Sequence, residues 1–361
     1  MSSLTLQTGD TPSILIVCFR FIGDVLVTTP LVTSIKQSVP GATIDYLVFE
    51  GTEGVLSHNP HIRNIIAVPR KGNNADVLFS LLRRYDLAFA AYPSDRTLLA
   101  AAVAGKRRIG LIYSGKDAWW KKIILSAYHF CDDHVHVVTN ILSLLGPLGI
   151  ASIPRVAMGY NQSDMAFAGE IIPANKYVIL HPYSRNSCKY WPAEKWGRLA
   201  GLIQEQTDCR AVFTTTPDHE DMSYLREILA TAPHDVLTFK KSCTLAQLAG
   251  IIKGSKAFVG IDTVVTHMAA ALEIPIIALF GPSLTRYWGP WPNGCVEVSP
   301  FAANKGVQRT GSVTIIQKDW PCVPCNRETC SISKRGKMEC LEELTPDEVF
   351  IELNKSLGAR G

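Results

Sequence analysis

Long apolar runs are missing from this chain. Nowhere do its 361 residues hold an apolar stretch near the roughly 20 that span a bilayer, so no membrane-spanning helix is expected. A secretory leader is not expected either, because the apolar segment Ile14 to Phe19 is short and the MSSLTLQTGD before it carries no positive charge. Net charge is equally scarce. The balance of 36 Lys and Arg against 32 Asp and Glu leaves +4, which is compatible with acidic ligands or an anionic membrane face and by itself names neither. A composition of 47% hydrophobic and 19% charged residues excludes a disordered chain and describes a folded, water-soluble one expected in the cytoplasm. Reduced thiols follow from that compartment, and six of the ten cysteines (Cys18, Cys131, Cys188, Cys209, Cys243, Cys295) are scattered, as small buried apolar residues are.

Glycine is short where it would matter most. After the apolar run SILIVC comes FRFIGDVLVTTP, with one glycine where a dinucleotide-binding fingerprint needs three, which weighs against a nucleotide-sugar epimerase or dehydrogenase. What stands there instead is a carboxylate. Gly23 allows a tight turn and Asp24 follows it at or beside a helix N-terminus, where negative charge is favoured, so Asp24 is either a helix cap or something more. Thr29 and Pro30 form a second N-cap and first-turn pair, so the helix is expected to begin late or to kink there.

Along the rest of the chain short apolar strands alternate with amphipathic helical segments. The first half reads SILIVCF, TIDYLVF and DLAFAAY with helices between, and the second reads KYVILHP, CRAVFTTT, DVLTF, KAFVGID and PIIALFG in the same rhythm. Strands separated by helices imply right-handed βαβ units, hence α/β architecture with two Rossmann-like parallel sheets. Turn-forming residues from Gly159 to Asp164 suggest domains of residues 1–160 and 161–345. A last helix from Pro346, capped by Thr345, forms a segment 346–361 whose expected destination is the N-terminal domain.

In open parallel sheets ligands bind beyond the carboxyl ends of the strands. Two further loops are so placed. HPYSRNSCKYWP puts Ser184, Arg185 and Lys189 ahead of a helix whose first turn is marked by Pro192, which suits a phosphate, although a solvated basic loop has the same composition. GIDTVVTHMAAALEIPIIALFGPS brings Asp262 and Thr263 to a helix N-terminus, with His267 one turn on and the Gly281–Pro282 turn at the end of the next strand. A lone histidine on an apolar helix is commonly a satisfied core residue; here it converges with two other polar groups.

Two segments remain. Cys322, Cys325, Cys330 and Cys340 begin with CxxC and suit a structural metal, though the later spacing is not that of a common zinc ribbon; free thiols and a disulfide are the other readings. SGKDAWWKKIILSAYHF combines adjacent tryptophans, lysines and apolar residues, which suits a membrane surface or an amphiphilic acceptor as well as it suits ordinary core.

RFIGDVLVTTP, HPYSRNSCKYWP, GIDTVVTHMAAALEIPIIALFGPS and YWGPW, in that order over most of residues 13–292, resemble the ADP-heptose:lipopolysaccharide heptosyltransferases of glycosyltransferase family 9, in particular the heptosyltransferase III-like, core-branching members. The resemblance implies a GT-B fold, two Rossmann-like domains facing across a cleft, with acceptor held by the first and nucleotide sugar by the second. It implies inverting transfer from ADP-heptose to a lipid-linked core acceptor, with no cofactor, no required metal and no nucleic acid as partner. The expected place is the cytoplasm, with peripheral contact at the inner membrane. On that pattern Asp24 is the general base. Ser184, Arg185, Lys189, Thr263 and His267 bind the donor phosphates, Asp262, Val264, Gly281 and Pro282 line the nucleotide-sugar site, and Arg20 and Gly23 bind acceptor or position the loop. Val264 departs from the small residue usual after the Asp-Thr pair, and the loop from His181 to Lys189 is one residue longer than in heptosyltransferase I-like sequences. Transfer of a related sugar within the family, and a non-catalytic sugar-nucleotide binder, are the alternatives.

Overall fold

The computed structural model describes residues 6–7, 9–72, 74–115, 118–172, 175–239, 241–333 and 337–358. Parts of the segments discussed above therefore lie outside the described residues: positions 1–5 and 8 near the N-terminus, 116–117 ahead of the tryptophans, 334–336 between Cys330 and Cys340, and 359–361 of the last segment. The chain divides into two compact units, residues 1–159 and 160–361.

The first unit contains strands β1 (Ser13–Cys18), β2 (Thr43–Phe49), β3 (Asn64–Val68), β4 (Tyr85–Ala90), β5 (Gly105–Ile112) and β6 (Ala127–Phe130). Its helices are α1 (Ile22–Leu26), α2 (Thr29–Ser38), α3 (Ala75–Ser80), α4 (Asp95–Ala104), α5 (Ala118–Ile124) and α6 (Val137–Leu142). The sheet is parallel throughout, in the order β3-β2-β1-β4-β5-β6, so its order reverses beside β1. β1 is an unbroken apolar run because both of its faces are covered. Alternate residues Leu15 and Val17 pack with Leu47, Ala88, Ala90 and Ile112 against Leu78 and Leu81 from the α3 segment, Leu98 and Ala101 of α4, and Ile124 and Leu125 at the end of α5. α3, α4 and α5 thus form one layer on one face of the sheet.

β3, β5 and β6 are not evident from sequence. Charged and polar residues (Lys106, Arg107 and Arg108 in β5, His129 in β6) interrupt their apolar character, and positions toward a sheet edge tolerate them. The interruption expected at Thr29 and Pro30 is real: α1 ends at Leu26 and α2 begins at Thr29 with the proline in its first turn. Gly23 differs from expectation. It lies inside α1 and is not among the positive-φ glycines, because the turn is made two residues earlier, by Phe21 in extended conformation as N-cap.

The second unit contains β7 (Tyr177–His181), β8 (Arg210–Phe213), β9 (Leu237–Thr238), β10 (Ala257–Ile261), β11 (Ile276–Phe280), β12 (Gly306–Thr310) and β13 (Val313–Gln317). Its helices are α7 (Gln162–Ile171), α8 (Ala193–Gln206), α9 (His219–Leu229), α10 (Leu245–Gly254), α11 (Val264–Ala271), α12 (Thr285–Trp288), α13 (Glu339–Glu342) and α14 (Pro346–Gly358). Strand order is β12-β13-β11-β10-β7-β8-β9, parallel except for the edge hairpin β12/β13, which turns at Gly311 with φ 56°. The order reverses between β7 and β10. The sequence leads one to expect α14 on the first domain. Its apolar stripe, Val349, Phe350 and Leu353, is instead buried in the second unit's own core with Leu199, Ala200 and Ile203 of α8 and Val259 and Leu279 of the sheet.

Candidate functional site

Both reversal points carry polar side chains at the carboxyl ends of the flanking strands, where a doubly wound sheet leaves a crevice. In the first unit this is the segment from Phe19 to Asp24, which runs from the loop after β1 into the first turn of α1. The Asp24 side chain accepts a hydrogen bond from the Phe21 backbone N–H at 3.3 Å, which satisfies one orphan donor at the start of α1. Arg20 Nε lies 3.8 Å from the same carboxylate oxygen. Asp24 is 11% exposed, and burial lifts its carboxyl from the usual 3.8 to about 6, against the opposing pull of Arg20 and the backbone amides. A carboxylate of that kind is ionised at neutral pH yet basic enough to take a proton.

Around it stands a ladder of alternating cations and rings. Arg20 lies over Phe21 at 4.5 Å and Tyr92 at 4.9 Å; Arg70 lies over Phe21 at 5.1 Å and Phe49 at 4.6 Å; Arg96 lies over Phe49 at 4.8 Å and Phe19 at 5.6 Å. Phe19 and Phe49 stack at 4.7 Å. Arg70 donates to the Arg20 carbonyl at 3.2 Å and Arg96 to the Arg70 carbonyl at 2.7 Å, which fixes the spacing of the three guanidiniums. Among the described residues Arg20 is the one of the three that pairs with a carboxylate, so the ladder carries uncompensated positive charge. Arg70, Arg96, Phe49 and Tyr92 escape the sequence reading, although each falls within a few residues of the carboxyl end of β2, β3 or β4, the rule that draws attention to Asp24.

In the second unit the loops after β7 and β10 meet. Lys189, on a single 3-10 turn from Ser187 to Lys189, donates to Asp262 Oδ2 at 2.6 Å, and Ser283 Oγ donates to the same oxygen at 2.5 Å. Ser184 Oγ donates to the Asp262 carbonyl at 3.4 Å. The sequence reading names Ser184, Lys189 and Asp262 separately; the fold brings them to one point. Asp262 anchors the lysine, and its buried carboxylate is satisfied in doing so.

Thr263 is the N-cap of α11 and makes no side-chain cap hydrogen bond to it. Val264 is half-buried beside it, and Arg185 is exposed. His267 is buried, and its Nδ1 has no hydrogen-bond partner among the described residues. Burial pulls its pKa down from 6.5 to about 4, with Asp262 opposing and Lys189 reinforcing, so it is neutral at pH 7 and close enough to feel both charges. A neutral imidazole donates through one nitrogen only, which makes His267 a hydrogen-bonding group here and not a cation.

The Gly281–Pro282–Ser283 turn is held from behind. Gln317 Nε2 donates to the carbonyls of Gly281 and Ser283, both at 2.8 Å, and the Asn326 backbone N–H donates to the Pro282 carbonyl at 2.8 Å. A Cβ on Gly281 would meet Leu341 at 2.9 Å, so this glycine serves the packing of the turn on α13. Ser283 and Gln317 are further residues that sequence reasoning does not single out. A glutamine closing the apolar run VTIIQ is the signal for the second.

Cys322, Cys325, Cys330 and Cys340 are all unpaired, which leaves no disulfide among them. Burial first, then the neighbouring thiols, pushes Cys340 up to about 12. Among the described residues the side chains that converge at metal-ligand distance are the exposed Asp132, Asp133 and His134, and the four cysteines do not form such a group.

Two doubly wound units, each with polar side chains at its reversal point, are the building blocks of the GT-B fold. The family model for glycosyltransferase family 9 (heptosyltransferase) matches residues 82–333. Two curated relatives are named lipopolysaccharide heptosyltransferase 3: one from Escherichia coli K12 is 28% identical over 77% of this chain and 85% of its own length, the other from Escherichia coli is 30% identical over 77% and 86%. Among solved structures, a glycosyltransferase of family 9 from Veillonella parvula superposes with a TM-score of 0.79 at 18% identity, covering 99% of this chain and 100% of that one. The E. coli ADP-heptose LPS heptosyltransferase II superposes with a TM-score of 0.73 at 20% identity, covering 96% and 99%. The chain belongs to glycosyltransferase family 9.

Proposed function

We propose that the protein transfers heptose from ADP-L-glycero-β-D-manno-heptose to the inner core of lipopolysaccharide with inversion at the anomeric carbon. The observation that carries the chemical part is Asp24: a buried carboxyl with a pKa near 6, beside an uncompensated arginine ladder, at the strand ends of the first unit. In this reading the acceptor hydroxyl forms the new C–O bond as the bond from the anomeric carbon to the diphosphate breaks. Asp24 takes the hydroxyl proton, and ADP leaves with the bonding pair.

The negative charge that develops on the diphosphate needs fixed donors and a cation. Lys189 supplies the cation, pre-positioned by Asp262 and Ser283, while Ser184, Arg185, Thr263 and His267 supply polar contacts. Val264 and the Gly281–Pro282 turn line the sugar-nucleotide side. The ladder of Arg20, Arg70 and Arg96 suits an acceptor bearing phosphate or carboxylate groups, as planar guanidiniums bind both in bidentate fashion. The first unit is then the acceptor domain and the second the nucleotide-sugar domain, with no metal required. A lipid-linked acceptor places the enzyme at the cytoplasmic face of the inner membrane. The test is ADP release from ADP-heptose with truncated core lipopolysaccharide; a thermal-shift screen of ADP-, UDP- and GDP-sugars separates the heptose reading from use of another donor. No ADP release with any heptosylated acceptor would overturn it.

A further inference from the structure

The layer formed by α3, α4 and α5 is apolar on both of its sides. Inward it covers the first sheet; outward it exposes Phe79 (74% exposed) and Leu82 at the α3 segment, Leu99 on α4, and Trp119 (65%) and Ile123 (72%) one turn apart on α5. Next to α5, the edge strand β6 exposes Tyr128 and Phe130 on one side, packed edge to face at 5.4 Å, with the Lys122 ammonium 5.6 and 5.2 Å from their ring centres. Among the described residues of the second unit, helical exposed apolar side chains of this size occur one to a helix, at Met165, Leu229 and Ile351.

Charge follows the same division. Residues 1–159 hold fifteen Lys and Arg against eleven Asp and Glu, and residues 160–361 hold twenty-one of each, so the whole formal excess of +4 resides in the unit that bears this layer. On the layer itself the exposed cations are Arg83 and Arg84 after α3 and Lys122 on α5, since Arg96, in the first turn of α4, is held in the arginine ladder. The acids are Asp76 on α3 and Asp95 on α4; Asp95 is ion-paired at 3.0 Å with Lys121, which is itself buried.

We propose that the outer face of α3, α4 and α5 is a docking surface for an anionic phospholipid bilayer. Trp119, Ile123, Phe79 and Leu82 enter the interfacial zone while the Arg and Lys side chains extend to lipid phosphates. The aromatic side chains suit that zone because each is apolar over most of its surface, and the indole N–H still finds water or headgroup. The proposal rests on the reading of a lipid-linked acceptor and names the surface by which the enzyme reaches it.

The full chain is sedimented with vesicles of phosphatidylethanolamine and phosphatidylglycerol, and separately with pure phosphatidylcholine vesicles. Binding is expected to the first and much less to the second, and to weaken as salt rises. The double variant Trp119→Ser, Ile123→Ser should lose about tenfold or more in partition coefficient while keeping wild-type turnover on a delipidated acceptor. Should that variant not fold, brominated phosphatidylglycerol should quench a part of the tryptophan fluorescence that the milder Trp119→Phe removes. The docking face is overturned if the wild type stays in the supernatant, binds neutral vesicles equally well, binds only when acceptor lipid is present, if the folded double variant binds as the wild type does, or if Trp119→Phe removes none of the bromolipid quenching. It is also overturned if the patch instead holds two copies together, seen as a dimer without vesicles that the double substitution disperses. Loss of turnover by the wild type on delipidated acceptor sinks the catalytic reading; vesicle binding absent with turnover intact sinks only this one.

Discussion

Lys189 Nζ and Ser283 Oγ donate to the same oxygen of Asp262, at 2.6 and 2.5 Å, although the three residues belong to loops after three different strands. That shared oxygen makes the lysine a pre-positioned cation: its side chain is ordered before any phosphate arrives, and less rotamer freedom is lost on binding.

Replacing the lysine separates its chemical role from its structural one. Lys189 is partly exposed but the Asp262 carboxylate it pairs with is buried, so Lys189→Ala leaves that charge to Ser283 and should lower the melting temperature by a few degrees, an effect too small to account for the loss of turnover. Loss of a charge-stabilising group at a leaving diphosphate should lower turnover about 10²-fold or more. Ser283→Ala, which leaves the lysine in place, should cost about tenfold or less. Steady-state kinetics on both variants, beside a thermal melt, check the order; a Lys189→Ala enzyme within a few-fold of wild type would remove it from the clamp.

For Asp24 the sign of the effect on stability is opposite to that on activity. Its folded pKa of about 6 lies above the unfolded 3.8, so the folded state holds the proton more tightly, and stability falls as pH rises from about 4 to 6 and stays reduced above that. Asp24→Asn should therefore stabilise the protein at pH 7.5, by at most about 3 kcal/mol, and give no such gain at pH 4. The same substitution should lower turnover about 10²-fold or more, while ADP still binds. In the wild type kcat/KM should rise with pH to a plateau above about 6. His267, with its pKa near 4, adds no inflection between pH 6 and 8, and its contribution to stability is lost in the other direction, as pH falls from 6.5 toward 4.

The arginine ladder predicts a division of kinetic effects. Hydrogen bonds to charged groups contribute about 1.5–3 kcal/mol, so Arg70→Ala and Arg96→Ala should each raise the acceptor KM roughly 10- to 100-fold. ADP affinity, measured by calorimetry, should not change. Were ADP affinity to fall with acceptor KM unaffected, the ladder would belong to the donor.

How much of this can be read from the sequence depends on which interactions set each feature. The central strands β1, β7, β10 and β11 are legible because burial on both faces leaves them as unbroken apolar runs, and the polar residues just beyond them, Asp24, Lys189 and Asp262, are legible for the same reason. Strands at or next to a sheet edge, β5, β6 and β12, are not, since exposure there lets Arg107, His129 and Arg309 into them. Pairings are less legible still. Nothing in the spacing of Arg20, Arg70 and Arg96 states that their guanidiniums share Phe21 and Phe49, because strand order, a non-local property, brings them together. Gly23 shows the converse: a glycine in the expected place with a different task, since Phe21 makes the turn.

Gln317 gives a test of how far the Gly281–Pro282–Ser283 turn depends on its support. Its amide is buried and donates to both Gly281 and Ser283 at 2.8 Å. Gln317→Leu keeps the approximate volume but leaves two buried carbonyls without that donor, a loss of about 1–3 kcal/mol for each group left unsatisfied. The melting temperature should fall by several degrees. Because Ser283 is one of the two donors that hold Asp262, and through it Lys189, the freed turn should also weaken ADP binding, although Gln317 itself makes no bond to Asp262 or Lys189. Gln317→Glu tests the same point from the other side. It preserves shape yet replaces the donor with an acceptor facing two carbonyls, so it should be at least as damaging as the leucine. If both variants melt lower but bind ADP as the wild type does, the turn supports the core alone, and Ser283 does not depend on it to hold Asp262.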